Sequence, residues 1–238
     1  PVFKKITSTI KKRMDDCFKR IILDIKDLNK SPIEGACYYP NEDNILKGEA
    51  LIFGPKDTPY EHGNYIFSFC FSKNYPYEPP VLTYQTNDGI TRFNPNFYRN
   101  GKVCLSILNT WEGDQWSACQ SIRSILVTLQ MTFNEYPLLN EPGINWNSHS
   151  NYIKKYNQII QYKNIEVSIL NYVTKKVNVQ EDIYEAIMNH FRVTKENLMK
   201  TITNLCEKYQ GSIRIELTIY HQKHRIDYEE LKNQIKLN

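Results

Sequence analysis

Apolar residues near the start of the chain recur at every third or fourth position. They are Ile6, Ile10, Met14, Cys17, Phe18, Ile21, Ile22, Ile25 and Leu28. This spacing is typical of an amphipathic helix that turns one apolar face toward a core. Ser31-Pro32 ends the predicted helix, because the residue before a proline disfavours the helical region.

Three segments with strand character follow, at residues 33–39, 46–53 and 65–71. In the third, large aromatic residues alternate with small ones, as expected of a strand with one buried face. Turn residues rich in Pro, Asn, Asp and Gly separate the segments, which favours an antiparallel meander. Residues 81–86 are predicted as a fourth strand.

Between residues 87 and 118 the chain shows little periodicity. A stretch of about thirty residues without regular structure is unusual inside a compact domain unless it has a function. Helical periodicity returns at Ile122 and continues to Phe133. Ser117 is the predicted N-cap of this helix, and Pro137 is predicted to stop it.

Pro142-Gly143 marks a predicted boundary between a core domain, residues 1–145, and a C-terminal extension, residues 146–238. The extension is predicted to be mostly helical and to pack on or follow the core. Its predicted helices cover residues 152–163 with a continuation to 173, 181–191, 195–210 capped by Thr194, and a last helix begun by Asp227. Alternating apolar residues at 213–219 predict a strand, for which the sequence offers no partner.

Composition and charge exclude several classes of protein. The net charge of +4 is too small to indicate a nucleic-acid partner, and no apolar run approaches the roughly 20 residues of a membrane span. Residues 1–30 hold nine Lys or Arg and four Asp, so a basic partner surface, if the protein has one, is predicted at the N-terminus. The six cysteines show no close pairing, which predicts no metal site or cofactor and favours reduced thiols in a cytoplasmic or nuclear compartment.

Cys104 lies in the irregular region, three residues after Gly101 of the turn pair Asn100-Gly101, which tends to hold a thiol near the surface. A cysteine thiolate is a strong nucleophile, and the thioester that it forms stays open to attack by amines. A single cysteine is nevertheless more often a packing residue. The nearest histidines in the sequence, His62 and His149, lie about forty residues away, so a cysteine hydrolase would need a histidine that the fold brings to Cys104.

Asn96 precedes Cys104 by eight residues in an Asn-Pro-Asn turn. Its side-chain amide could donate to an oxyanion that forms during acyl transfer. It could equally bond the backbone of its own loop, as turn asparagines often do. The residues alone leave both roles open.

An ordered set of motifs resembles the ubiquitin-conjugating enzyme (E2) family. The motifs are Tyr75-Pro76-Tyr77-Glu78-Pro79-Pro80, Asn94-Pro95-Asn96, Gly101-Lys102-Val103-Cys104-Leu105, Trp116-Ser117 and Asn140-Glu141-Pro142. The spacing between Asn96 and Cys104 also matches the family. The long loop between Cys104 and Trp116 is similar to that of the large Z subclass.

The resemblance implies an α+β ubiquitin-conjugating fold: an N-terminal helix, a four-stranded antiparallel meander and then helices. It also implies a transferase of the ATP-dependent ubiquitin pathway. Cys104 would accept ubiquitin or a ubiquitin-like modifier from an activating enzyme as a thioester, and would pass it to a lysine or to a ligase cysteine. The alternative is a non-catalytic ubiquitin-binding module of the same fold.

The resemblance also assigns roles around the nucleophile. Asn96 would stabilise the oxyanion or order its loop, and Glu141 would be the acid that gates the active site, since Asn140 is neutral. Ser106 stands where many members place an acid two residues after the nucleophile, and it is a further candidate. Asn94 stands where the family usually has a histidine.

Two docking surfaces are implied as well. Tyr77, Ala118 and Cys119 match the surface where ligases dock, although they could simply pack their loops. Lys5, Lys12 and Lys19 of the basic first helix match the docking surface for an activating enzyme, where charge complementarity would speed encounter. Plain solvation of these lysines is the competing explanation.

Overall fold

The protein is described by a computed structural model, which covers the backbone of residues 2–237 and the side chains of residues 16–237. The chain divides into two compact units. Unit 1 comprises Pro1–Ile52, Ile66–Gln85 and Gly101–Met131, and unit 2 comprises Phe53–Tyr65, Thr86–Asn100 and Thr132–Asn238. The predicted boundary between residues 145 and 146 stays a prediction.

The first half of the chain forms a helix, a sheet and a second helix. Its elements are α1 (Val2–Lys30), β1 (Ala36–Pro40), β2 (Lys47–Phe53), β3 (Asn64–Cys70), β4 (Val81–Tyr84), a short 3₁₀ turn (Ser106–Leu108) and α2 (Ile122–Thr132). The strands form one sheet in the order β1-β2-β3-β4. The pairs β1–β2 and β3–β4 are antiparallel, so the predicted meander is confirmed.

Among the residues whose side chains are described, the apolar positions of α1 and β3 largely follow the predicted patterns. Cys17 and Ile21 of α1 are buried, whereas Ile22 is 41% exposed. In β3 the residues Phe67 and Phe69 are buried, and Cys70, the last residue of the strand, is exposed. The buried residues of α1 and β3 therefore include those that the apolar patterns placed toward a core.

The predicted N-cap of α2 is wrong. The helix begins at Ile122, and Ser121 precedes it, with its backbone N–H donating to Ser124 Oγ at 3.2 Å. Ser117 lies too early to cap this helix, and its backbone N–H instead donates to Gln120 Oε1 at 3.1 Å. The helix ends at Thr132, before Pro137 starts a short 3₁₀ turn.

The C-terminal part is mostly helical. Its elements are the 3₁₀ turn Pro137–Asn140, α3 (Trp146–Lys163), a π-helix (Asn164–Leu170), α4 (Asn171–Val173), α5 (Glu181–Lys208), β5 (Ile213–Leu217), the 3₁₀ turn Thr218–Tyr220, β6 (Gln222–Ile226) and α6 (Tyr228–Lys236). The predicted continuation of α3 to residue 173 is present as the π-helix and α4. Asp227 caps α6, because its Oδ1 accepts from Glu230 N at 3.3 Å.

The π-helix lies where Gly63 of unit 2 packs closely against it. A Cβ at Gly63 would lie 2.0 Å from Asn164 Oδ1 and 2.5 Å from Ser168 Oγ, so this position has no room for a side chain. Asn164 Oδ1 accepts from Tyr65 Oη at 2.5 Å, and Asn164 Nδ2 donates to the Glu61 carbonyl at 2.8 Å. These polar contacts provide partners at the point where the regular helix is interrupted.

Two further predictions for the extension are wrong. α5 is a single helix from Glu181 to Lys208, and the Thr194 hydroxyl donates to the His190 carbonyl within it rather than capping a new helix. The strand β5 has a partner, since it pairs antiparallel with β6 from Ile213↔Ile226 to Leu217↔Gln222. Among the described residues, no helix combines the length and apolar character that crossing a membrane requires.

Candidate active site

Cys104 follows a short segment of unit 1 that runs back along β4. Gly101 makes the turn with a left-handed φ of +87°, and its carbonyl accepts from Tyr84 N at 2.8 Å. Lys102 then bridges to Thr83 in antiparallel fashion. A Cβ at Gly101 would lie 2.8 Å from Thr83 Cγ2, so glycine is required both for its backbone conformation and for space. This turn sets the position of the thiol relative to the sheet.

The loop after Cys104 is closed by its own hydrogen bonds. The Thr110 hydroxyl accepts from Leu105 N at 2.9 Å and lies 3.0 Å from the Val103 carbonyl, to which it can donate. Asn109, which has a left-handed φ of +56°, accepts through Oδ1 from Trp116 N at 2.8 Å. The long segment between Cys104 and Trp116 is therefore a folded loop rather than a loose insertion.

The thiol is not near the surface, contrary to the expectation from the Asn-Gly turn. Cys104 is 2% exposed, and its neighbours Val103 and Leu105 are buried as well. The turn does direct the chain back over β4, but the residues on both sides of the cysteine pack inward. A mostly apolar groove of about 250 Å³ lies beside this segment, lined in part by Val81, Val103 and Leu108.

Ser106 begins the 3₁₀ turn that follows Cys104. Its carbonyl accepts from Asn109 N at 2.8 Å, and its side chain is half-buried. A Cβ at Gly113 would lie 3.1 Å from Ser106 Cβ, so the far side of the loop comes close to it. The contacts of Ser106 are those of a residue that shapes the loop, and its catalytic role stays a prediction.

The Asn-Pro-Asn turn of unit 2 is organised by its first asparagine. Asn94 is fully buried, and its Nδ2 donates to the Thr132 carbonyl at 2.8 Å and to Tyr60 Oη at 3.1 Å. Its Oδ1 accepts from Asn96 N at 2.9 Å. Asn94 therefore fixes the backbone of Asn96.

Asn96 is buried and lies in unit 2, whereas Cys104 lies in unit 1. Its backbone is held by Asn94, which satisfies one requirement for a preorganised hydrogen-bond donor. The choice between an oxyanion donor and a loop-ordering residue stays a prediction.

Glu141 ends the 3₁₀ turn Pro137–Asn140. Its carboxylate Oε2 accepts from Tyr220 Oη at 2.6 Å. The adjacent Asn140 is engaged elsewhere, since its Oδ1 accepts from Asn134 Nδ2 at 3.1 Å. Glu141, unlike Asn140, thus has a charged group that contacts the turn Thr218–Tyr220 of unit 2.

The predicted ligase-docking residues lie in two loops of unit 1. Tyr77 is 69% exposed, Cys119 is exposed and Ala118 is half-buried. Tyr77 N donates to the Asn74 carbonyl at 2.7 Å, and Trp116 Nε1 donates to the Pro76 carbonyl at 2.7 Å. The second bond joins the two loops, and the Tyr77 side chain is exposed to solvent.

A partly buried ion pair on α1, which the sequence patterns did not predict, holds both loops. Arg20 Nε donates to Asp24 Oδ1 at 2.8 Å, and Arg20 Nη1 donates to the Ala118 carbonyl at 2.8 Å. Asp24 also accepts from the Tyr75 hydroxyl and, at 3.3 Å, from Ile122 N. Burial and the hydrogen bond to Asp24 raise the pKa of Tyr75. The signal in the sequence was a pair of opposite charges four residues apart on the apolar side of α1.

The basic face predicted to meet an activating enzyme is described in part. Lys19 is exposed on α1. The side chains of Lys5 and Lys12 lie outside the described residues. Within residues 16–237, no group of three or more His, Cys, Asp or Glu side chains is arranged to hold a metal ion.

The order of elements, from α1 through the four-stranded meander to the loop with Cys104 and α2, is the ubiquitin-conjugating fold, an α+β architecture. Sequence comparison agrees with it: the family model "Ubiquitin-conjugating enzyme" matches residues 20–165. The chain therefore belongs to the ubiquitin-conjugating enzyme family.

Individual relatives point to one subclass. The chain is 41% identical to "Ubiquitin-conjugating enzyme E2 Z" of Danio rerio, over 76% of this chain and 55% of the relative. It is 43% identical to the Homo sapiens protein of the same name, over 70% of this chain and 48% of the relative. A lower identity of 37% relates it to "Ubiquitin-conjugating enzyme E2 1" of Caenorhabditis elegans, over 52% of this chain and 60% of the relative. The chain spans about half the length of the E2 Z relatives, and the predicted similarity to the Z subclass is confirmed.

Proposed function

We propose that the chain carries ubiquitin or a ubiquitin-like modifier as a thioester on Cys104. The observation that carries this proposal is the position of Cys104 inside the matched family region, on a segment fixed against β4 by Gly101 and followed by a self-closed loop. A nucleophile that exchanges thioesters needs a defined position more than a strong base, because the acyl group arrives already activated.

The first step is a thiol exchange. The Cys104 thiolate attacks the carbonyl carbon of the modifier's C-terminal thioester on an activating enzyme, and a new carbon–sulfur bond forms. The old carbon–sulfur bond breaks, and the thiolate of the activating enzyme leaves. Lys19, on the exposed face of α1, would help to attract that partner by its charge, together with Lys5 and Lys12.

The second step transfers the modifier to a lysine or to a ligase cysteine. With a lysine, the amine nitrogen attacks the thioester carbonyl, loses a proton, and forms an isopeptide bond while the Cys104 thiol is released. Asn96 would donate to the oxyanion or hold its loop, and Glu141 would be the acid at the entrance. The surface around Tyr77, Ala118 and Cys119 would receive a ligase.

Thioester formation tests the proposal directly. The chain is incubated with an activating enzyme, ATP and ubiquitin, and separated on gels with and without thiol reductant; parallel reactions use other ubiquitin-like modifiers. We expect an adduct that reductant removes. Cys104→Ala should form none, Cys104→Ser should form an adduct that resists reductant, and the control Cys119→Ala should load like the wild type.

The proposal is wrong if no modifier forms an adduct with the wild-type chain, or if the adduct persists in Cys104→Ala. Binding of ubiquitin without any adduct would favour the non-catalytic module instead.

A further inference from the structure

The carboxylate of Glu141 is held by a residue from the tip of the C-terminal hairpin. The backbone around Glu141 is fixed, since its N–H donates to the Leu138 carbonyl at 3.1 Å and its carbonyl accepts from Ile144 N at 3.2 Å. The side chain would still be able to rotate. Its one described side-chain bond, at 2.6 Å, comes from Tyr220 Oη. A hydroxyl that donates to a carboxylate forms a short, charge-assisted hydrogen bond.

Tyr220 is itself well fixed. It closes the 3₁₀ turn between β5 and β6, where His221 N donates to the Thr218 carbonyl at 3.0 Å. The Tyr220 carbonyl accepts from Arg99 Nη2, and its ring lies against the Tyr156 ring, with centroids 6.0 Å apart. These backbone and ring contacts therefore fix the position of the Tyr220 hydroxyl beside Glu141.

The hydroxyl also keeps its proton. Burial, followed by the hydrogen bond to Glu141, raises the pKa of Tyr220. A phenol in this environment acts as a donor across the whole physiological range. The hydroxyl therefore remains available as a donor to the Glu141 carboxylate.

We propose that Tyr220 is a positioning residue for Glu141, and that the β5–β6 hairpin thereby sets the direction of this carboxylate during transfer of the modifier to lysine. The inference rests on the proposed function, in which Glu141 is the acid at the active-site entrance. Loss of the hydroxyl leaves Glu141 in place but frees its rotamers, so only some of its conformations face an incoming amine.

Tyr220→Phe tests the inference, because it removes the hydroxyl and keeps the ring. Three quantities are measured: the rate of thioester formation on Cys104, the melting temperature, and the single-turnover discharge of that thioester to free lysine at increasing lysine concentration. We expect loading close to the wild type, a slightly lower melting temperature because one hydrogen bond to a carboxylate is lost, and a fall of roughly tenfold in the maximal discharge rate. A purely structural role would instead lower loading and discharge together.

Tyr152→Phe is the matched control. The Tyr152 hydroxyl contacts the same turn, 3.4 Å from Thr218 Oγ1, and makes no described bond to Glu141. The thioester of Tyr152→Phe should therefore discharge to lysine at the wild-type rate. Glu141→Gln should slow discharge, and adding Tyr220→Phe to it should cause no further loss, because the two residues act as one unit.

The outcomes separate this inference from the proposed function. Normal discharge by Tyr220→Phe beside slow discharge by Glu141→Gln would overturn the inference and keep the role of Glu141. Normal discharge by Glu141→Gln from an intact Cys104 thioester would overturn the inference and keep the carrier function. The inference would also be overturned if the discharge rate of the double variant fell by the product of the two single-variant losses. Absence of a thioester on the wild type would overturn both.

Discussion

Replacing Asp24 by asparagine should destabilise unit 1, including the two loops that carry Tyr77 and Ala118. Asp24 is 7% exposed and accepts through Oδ1 from Arg20 and through Oδ2 from the Tyr75 hydroxyl and Ile122 N. Asparagine offers one oxygen where aspartate offers two, and its NH₂ group must then face a donor. Whichever way the amide turns, one partner is lost and the Arg20 charge is uncompensated.

The magnitude follows from these contacts. Hydrogen bonds to charged groups contribute about 1.5–3 kcal/mol each, and removing one partner of a buried ion pair costs about 3–5 kcal/mol. The Arg20 side chain is 23% exposed, so water reduces that cost. We therefore expect Asp24→Asn to lower the free energy of unfolding by about 2–3 kcal/mol.

Urea unfolding followed by circular dichroism measures the effect, and Asp27→Asn is the matched control. Asp27 lies one turn further along α1 and pairs with Arg123 at 2.6 Å, but its side chain is 58% exposed. An exposed pair contributes about 0–1 kcal/mol, so this variant should unfold near the wild-type midpoint. Equal midpoints for the two variants would refute the reasoning. Tyr75→Phe should be non-additive with Asp24→Asn, since both remove the same hydrogen bond.

Three further predictions follow from other parts of the molecule. Mass spectrometry after brief alkylation should find Cys119 modified well before Cys104, because the former is exposed and the latter is buried; faster reaction at Cys104 would contradict this. Gly101→Ala should cost about 1–3 kcal/mol in urea unfolding and slow thioester formation, since its φ is +87°, and an unchanged midpoint would count against the strain. Burial, followed by the nearby His62, lowers the pKa of His190 from 6.5 to about 4, so the unfolded chain binds the extra proton first. Stability should therefore fall as the pH decreases from about 6.5 towards 4, by at most roughly 3 kcal/mol, and the fall should be smaller in His190→Gln.

The helix, the sheet and the family could be predicted from local patterns. The alternation of Phe67 and Phe69 and the three- and four-residue spacing on α1 report burial on one face, and burial is what the fold enforces. Tyr75-Pro76 and the Asn-Pro-Asn turn are similarly local. Their order along the chain was enough to identify the family.

What the sequence did not predict depends on contacts between distant residues. β6 was missed because its buried face holds Gln222 and His224 beside Ile226, so polar side chains conceal the period of a strand. The bond between Tyr220 and Glu141 joins residues 79 positions apart, and no short pattern contains it. Burial of Cys104 was not predicted for a related reason. The Asn100-Gly101 pair indicates a turn of the backbone, but it does not indicate which distant residues pack around the thiol.

The hydrogen bonds of unit 2 have a consequence for biosynthesis. Arg92 N donates to Gln222 Oε1 across a sequence separation of 130 residues, and Arg99 reaches the Tyr220 carbonyl across 121. Closing such long loops is slow and entropically costly. During synthesis, the segment with Asn94 and Asn96 can form these hydrogen bonds only after the β5–β6 hairpin has been made. A chain shortened to residue 145 would contain Cys104 and both asparagines, yet the segment that carries the asparagines would lack its partners in the hairpin.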